Sequence, residues 1–438
     1  MAQKVLMYGW EFPPFISGGL GIACYDITKS LSELGVTINF VLPSFCGKTS
    51  NENQHLKLIN SSEVAVTEKE LLQVAEHFVD NVKLHQIDSL LFPYITEEAY
   101  LEQINFIEKH ASYDEHSKSY RLNISGNYGK NLLDEVSRYS YISGFIAKEV
   151  EHDVIHCHDW MTILAGIEAR RHSNKPLIYH VHALETDRSG DNTNPSVYNI
   201  EKYGLEQADK IIAVSYFTKN NIVNKYHINP DKIEVVHNAV SKSQPKRVNL
   251  KLVKKQEGEK LVLFLGRVTH QKGPDYFLEA AAKVLEKEKD ITFVIAGNGD
   301  MTTRLIERAA ELRIGNKVHF TGFLNREEVE ALFRASDLYV MPSVSEPFGI
   351  SSLEAVLYDV PVLMSKQSGV SEVLQNALKV DFWDTHELAN QIVAAVNYNG
   401  LNKQLIELAT EELKNIQWKN SAQKISSIYN MMIEYSYA

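Results

Sequence analysis

Ser345-Glu346-Pro347-Phe348-Gly349-Ile350-Ser351-Ser352-Leu353-Glu354 places two carboxylates around a turn that opens a helix. The apolar run Leu338 to Met341 ahead of it predicts a buried strand, residues 342–349 a loop, and Ile350 to Tyr358 a helix whose first turn is rich in Ser. The backbone amides of Gly349, Ile350 and Ser351 then point out of the helix N-terminus, where unpaired amides and the positive end of the dipole suit a diphosphate. Glu346 before the turn and Glu354 one turn inside can take hydroxyls on either side of it, so an anionic ligand bearing sugars fits both ends. The plainer alternative is a solvated helix carboxylate at Glu354 and a chance loop residue at Glu346.

This segment resembles the Glu-x7-Glu motif of the retaining glycosyltransferases with the two-domain GT-B fold, a family that includes sucrose and sucrose-phosphate synthases and some glycogen synthases. The resemblance implies that Glu346 lies against the donor sugar and Glu354 holds the nucleotide ribose, with Phe348, Gly349, Ile350 and Ser351 along the donor between them. It also implies an α/β protein of two Rossmann-like, doubly wound domains facing across a cleft.

Composition agrees with that class. A chain of 438 residues exceeds what one core usually supports, so two domains are expected. With 44% hydrophobic and 23% charged residues the chain reads as soluble and globular, and no apolar run approaches the ~20 residues needed to cross a bilayer. Met1 to Trp10 lead into a strand without a secretory h-region, from which a cytoplasmic location is expected. Cys24, Cys46 and Cys157 are widely spaced and form no CxxC, which argues against a disulfide framework or a zinc site. A net charge of −11 disfavours a general nucleic-acid binder. The exception is the basic stretch Lys242 to Lys260, with Lys246, Arg247, Lys251, Lys254 and Lys255 beside Pro245. It reads as a solvated interdomain linker or, alternatively, as a contact for an anionic surface.

Strand and helix signals alternate before that linker: Lys4 to Tyr8, a helix from Leu20 to Leu34, Thr37 to Leu42, Val154 to His156, Leu177 to Val181 and Lys210 to Val214. In the first helix Leu20, Cys24, Ile27, Leu31 and Leu34 repeat at helical spacing, and Gly35 stands where a left-handed C-terminal residue belongs. Residues 49–138 fit less well, and the polar piece His110 to Lys130 reads as an inserted flap or loop on the acceptor side. A second series follows the linker at Leu261 to Leu265, Thr292 to Ala296, Val318 to Thr321, Leu338 to Met341 and Val360 to Met364. Helices close the chain, with Trp418, Ala422, Ile425 and Tyr429 on one side. The expected domains are residues 1–245, residues 255–415, and a helix at 416–438 that, in the family resembled, crosses back to the first domain.

Further residues carry the expected chemistry. Leu263 to Gly273 ends a strand with Arg267 and sets Lys272 beyond a short turn, at the carboxyl edge where open α/β sheets bind ligands. Two cations there suit phosphate; each charge-assisted contact is worth ~1.5–3 kcal/mol and grows as the leaving diphosphate gains charge. They match the family's donor-diphosphate pair, although surface Arg and Lys at a strand end is the plain alternative. Ser17-Gly18-Gly19-Leu20-Gly21 follows the first strand, and its glycines let backbone approach a ligand. A nicotinamide reading is poor, because Cys24 stands where GxGxxG needs its third glycine and Asn39 to Pro43 offers no ribose-binding acid. The loop resembles the Gly-Gly-Leu loop of glycogen and starch synthases, with Gly18 and Gly19 on the donor. Ile16 replaces the Lys of the bacterial enzymes, which puts a preference for ADP-glucose in doubt.

His156-Cys157-His158-Asp159-Trp160 ends another strand and invites a metal reading. That reading is set aside, because successive strand side chains face opposite ways and no third ligand has suitable spacing nearby. The run resembles the His-Asp-Trp element of glycogen synthases, implying that Asp159 touches acceptor or donor sugar. His182 in His180-Val181-His182 matches the family's cleft histidine beside the reacting sugar; a satisfied histidine at a sheet edge is the alternative. No Asp-x-Asp occurs, so no metal or other cofactor is expected and Arg267, Lys272 and the helix dipole neutralise the diphosphate. Ser368-Gly369-Val370 and Glu372 correspond to a family loop near the donor sugar.

The resemblance implies a retaining, metal-independent hexosyltransferase moving glucose from UDP- or ADP-glucose to an α-1,4-glucan. Its partners are the nucleotide-sugar donor and a glycan acceptor, with no nucleic acid and no integral membrane segment. The nearest alternative builds another glycan or a disaccharide, such as a cell-envelope sugar or sucrose phosphate. A nucleotide-sugar sensor without turnover is the alternative of another class, and an oxidoreductase is more distant.

Overall fold

The computed structural model describes residues 3–15, 18–45, 53–67, 111–115, 117–129, 131–190, 192–241 and 258–437. Ile16, Ser17, Cys46, the basic stretch as far as residue 257, and residues 68–110 of the expected insertion lie outside the described residues.

The first sheet takes seven strands in the order β3-β2-β1-β6-β7-β8-β9. In chain order these are β1 (Lys4–Tyr8), β2 (Thr37–Leu42), β3 (Lys57–Asn60), β6 (Val154–His158), β7 (Leu177–Val181), β8 (Lys210–Ala213) and β9 (Ile233–Val235). Between β3 and β6 the hairpin β4 (Ala111–Asp114) and β5 (Ser119–Leu122) pairs antiparallel, within the piece read from sequence as a flap or loop. The second sheet has six strands in the order β12-β11-β10-β13-β14-β15. They are β10 (Lys260–Leu265), β11 (Ile291–Ala296), β12 (Val318–Gly322), β13 (Leu338–Met341), β14 (Val362–Ser365) and β15 (Leu378–Val380), and each neighbouring pair is parallel.

Thirteen α-helices connect the strands among the described residues: α1 (Gly19–Glu33), α2 (Leu132–Glu149), α3 (Trp160–Ser173), α4 (Glu185–Ser189), α5 (Pro195–Gln207), α6 (Tyr216–Tyr226), α7 (Pro274–Lys287), α8 (Thr302–Glu311), α9 (Arg326–Ala335), α10 (Ile350–Leu357), α11 (Thr385–Asn397), α12 (Asn399–Leu413) and α13 (Trp418–Tyr437).

Alternation along β10 shows why this sheet is covered on both faces. Leu261 and Leu263 join the cluster with Tyr339, Leu353 and Val356, while Val262 and Phe264 join the cluster with Phe277, Phe293 and Leu388. A strand buried on both sides must be apolar throughout, which is how Leu338 to Met341 reads. Elsewhere boundaries differ from the sequence reading. β6 runs two residues further than expected, and β14 begins at Val362 because Pro361 has no N–H for the ladder. α10 stops at Leu357, followed by Asp359 in the left-handed region at φ 60°. Gly35 takes the left-handed value expected of it, φ 86°.

Chain order reverses at one place in each sheet, between β1 and β6 in the first and between β10 and β13 in the second. Such switch points leave a crevice beyond the carboxyl ends of the strands, because the flanking connections depart in opposite directions. By compactness the chain forms two units, Met1–His180, Ile200–Ile211 and Ile425–Ala438 in one, Val181–Asn199 and Ile212–Lys424 in the other. Trp418, Ala422, Ile425 and Tyr429 are all buried, on the side the sequence spacing gave them.

Candidate active site

At the second switch point the chain leaves β10 through Gly266 and the exposed Arg267, then makes a 3-10 turn over His270–Lys272. Lys272 Nζ donates to Glu346 Oε2 at 2.6 Å, and Ser343 Oγ donates to the same oxygen at 3.2 Å. The Glu346 side chain is 7% exposed, so this ion pair is shielded from water on the carboxylate side. The Glu346 backbone is held as firmly: its N–H donates to Gln367 O at 3.0 Å and its carbonyl accepts from Gly369 N at 2.9 Å. Pro347 O accepts from Ser215 Oγ at 2.6 Å and Thr218 Oγ1 at 3.3 Å.

Gly349 follows at φ 102°, a value that side chains resist, and a Cβ there would come within 2.9 Å of Met341 Cε and 3.1 Å of Glu346 Cγ. No side chain caps the first turn of α10, which leaves its positive end for a ligand. Ser351 Oγ pairs with Tyr339 Oη at 2.8 Å. Burial holds the Tyr339 phenol above its ordinary range; the Ser351 hydroxyl pulls it partly back, and the Glu346 and Glu354 carboxylates add to the rise. The Phe348 ring is 2% exposed and lies with its centroid 6.1 Å from that of His237.

His182 and Asp187 belong by compactness to this same unit, although the sequence reading put them with the first domain. His182 is half-buried. Asp187 is buried and accepts from Leu184 N at 3.0 Å, Asn221 Nδ2 at 3.0 Å and Ser345 Oγ at 2.8 Å. Burial raises its carboxyl above the ordinary value, and the Leu184 N–H and Ser345 hydroxyl pull it partly back. Glu372 accepts from Tyr216 N, Phe217 N and His237 Nε2 at 2.9, 2.7 and 2.8 Å. It caps α6 rather than standing free beside a sugar. Gln271, Ser343, Tyr339 and Asp187 were missed from sequence, where nothing but adjacency to Lys272 and Glu346 marks two of them.

In the first unit, Gly18 N donates to Glu11 Oε2 at 2.7 Å, and Tyr128 Oη donates to the other oxygen of that carboxylate. The first amide of the glycine loop is thus already engaged, while Gly18 and Gly19 are both exposed. Asp159 follows β6 at φ 60° and ψ 177°, a region that is almost glycine's alone, and is 4% exposed. Its carboxylate and that of Glu11 both act on the Cys24 thiol, which burial chiefly holds well above its usual range.

The histidines beside it correct the sequence reading. His156 and His158 are two apart on β6, hence on one face, and His180 of β7 supplies a third ring; their ligating atoms lie within 4.8 Å of one another. The rings stack, with His156 and His158 centroids 4.5 Å apart and planes 21° apart. His156 has both nitrogens engaged, Nδ1 with Tyr429 Oη at 2.6 Å and Nε2 with His180 Nδ1 at 3.2 Å. These side chains form a buried, hydrogen-bonded group.

Residues 4–229 match the family described as starch synthase catalytic domain, and residues 246–424 match glycosyl transferases group 1. The chain is a glycosyltransferase of this kind. A glycosyltransferase of Methanocaldococcus jannaschii, itself uncharacterised, is 26% identical over 99% of both chains. The D-inositol 3-phosphate glycosyltransferase of Rhodococcus jostii is 26% identical over 68% of this chain and 72% of its own. Glycogen synthase of Mycobacterium tuberculosis is 23% identical over 85% and 80%. Among solved structures, sucrose-phosphate synthase from Thermosynechococcus elongatus superposes with a TM-score of 0.69 at 16% identity, covering 99% of this glycosyltransferase and 100% of that chain. The fold is GT-B, with two Rossmann-like sheets.

Proposed function

We propose that this glycosyltransferase moves glucose, with retention, from UDP- or ADP-glucose to an α-1,4-glucan without a metal ion. The observation that carries the donor site is the Lys272–Glu346 pair beside Arg267 at the uncapped start of α10. In this reading the diphosphate takes Arg267, Lys272 and the α10 amides, Glu346 and His182 orient the sugar and Glu354 takes the ribose; Asp159 and the Gly18-Gly19 loop are the first unit's candidates for contact with substrate. As the sugar–phosphate bond breaks, charge gathers on the leaving diphosphate and an oxocarbenium-like sugar forms. The acceptor hydroxyl attacks from the same face and passes its proton to a leaving-group oxygen. Cations and amides already in place serve that step without a divalent ion.

The glucan is supported by the starch synthase match and by Gly18-Gly19-Leu20 together with His158-Asp159-Trp160. No helix among the described residues is long and apolar enough to cross a membrane; we assign the reaction to the cytoplasm. A second reading, transfer to a small phosphorylated acceptor, is favoured by the similarity to D-inositol 3-phosphate glycosyltransferases.

The test is release of nucleoside diphosphate from UDP-glucose and ADP-glucose, with and without glycogen, repeated in a chelator. Glycogen-dependent release that survives the chelator is expected. Release that needs inositol phosphate instead would replace the glucan by the second reading, and loss in the chelator would overturn the metal-free mechanism.

A further inference from the structure

Gln271 lies between the two expected phosphate-binding cations and is 4% exposed. Its Oε1 accepts from Arg267 Nη2 at 3.3 Å and its Nε2 donates to Ser345 O at 3.1 Å. Its main-chain carbonyl accepts from Val344 N at 2.9 Å and Ser345 N at 3.5 Å. The orientation of the side-chain amide is dictated by its partners, since a guanidinium only donates and a carbonyl only accepts. One residue therefore joins the turn that carries Arg267 and Lys272 to the loop that carries Glu346.

We propose that Gln271 is a positioning residue that aims Arg267 at the donor diphosphate while fixing the 344–346 loop; this rests on the donor-site reading above. The chemistry of the acceptor matters. A neutral amide oxygen orients the guanidinium without neutralising it, so the full charge and the other N–H groups remain for phosphate. A carboxylate at the same place would claim that charge. Among the described residues the guanidinium, itself exposed, is hydrogen-bonded by Gln271.

The experiment measures binding of UDP and UMP, and of ADP and AMP, by calorimetry to the wild-type chain, Gln271→Met and Gln271→Glu. Whichever wild-type pair shows the larger preference for the diphosphate defines the base. In Gln271→Met that preference should fall about tenfold to a hundredfold, the loss of one oriented charged contact, with monophosphate affinity unchanged. In Gln271→Glu it should fall further, and kcat should drop with it. In an Arg267→Met background, Gln271→Met should cause no further loss of preference. A preference unchanged in both single variants, or equal losses from Gln271→Met with and without Arg267, would overturn the proposal while leaving the donor site standing. A wild-type chain that does not distinguish diphosphate from monophosphate would overturn the donor-site reading and this inference together.

Discussion

Lys272 and Glu346, 74 residues apart in sequence, meet at 2.6 Å at the carboxyl edge of the second sheet. The lysine that should greet the diphosphate is engaged with the acid that should orient the sugar, so donor binding has to share or replace an existing partner. Lys272→Ala should lower turnover by about two orders of magnitude or more, as losses of transition-state charge stabilisation do. Steady-state donor consumption checks this, and near-wild-type turnover would remove Lys272 from the chemistry.

Asp159 holds a backbone conformation suited to glycine. Asp159→Gly should therefore be more stable than Asp159→Ala by about 1–3 kcal/mol, while both lose the carboxylate and with it most activity. Chemical denaturation of the two variants decides; equal stability would mean that φ 60° costs the chain nothing.

Asp187 bears on pH. Its folded-state carboxyl is raised, so protonation favours the folded chain: that contribution is fully present below the ordinary aspartate value and lost as pH rises through the folded one. Relative to Asp187→Asn, which does not titrate, the wild-type chain should lose stability as pH climbs from about 4 towards neutrality. Parallel denaturation curves across that range measure it, and a difference that is flat or grows with pH would contradict the assignment.

Tyr429→Phe strips the phenol from His156 Nδ1 in a fully buried setting and should cost about 1–3 kcal/mol. Equimolar zinc should leave the wild-type melting temperature unchanged. Stabilisation rising with zinc concentration would show that the three histidines ligate after all.

Much of this was legible because buried parallel strands are apolar throughout and their boundaries carry punctuation. The stretch from Leu338 to Glu354 gave strand, turn and helix within a residue of what forms. Short edge strands were not legible: β3, β9 and β15 have three or four residues each, too few for any period to show. The third histidine was not legible for another reason, since His180 reaches His156 only through the pairing of β6 with β7, a contact 24 residues long in sequence. Gln271 was invisible as an uncharged side chain whose work lies entirely in its partners.

Gln3 Nε2 donates to Ser426 O at 2.9 Å and to Asn430 Oδ1 at 2.6 Å, and Ser426 Oγ returns a bond to Gln3 Oε1 at 3.0 Å. Synthesis runs from one of these partners to the other, so the unit that starts first is completed last. While the second sheet emerges, β1 and the buried face around His156 wait without the last helix, exposed to chaperones and to mispairing. A nascent chain stalled after residue 424 should show a protease-sensitive first unit beside a protected second one, an order of maturation opposite to the order of translation.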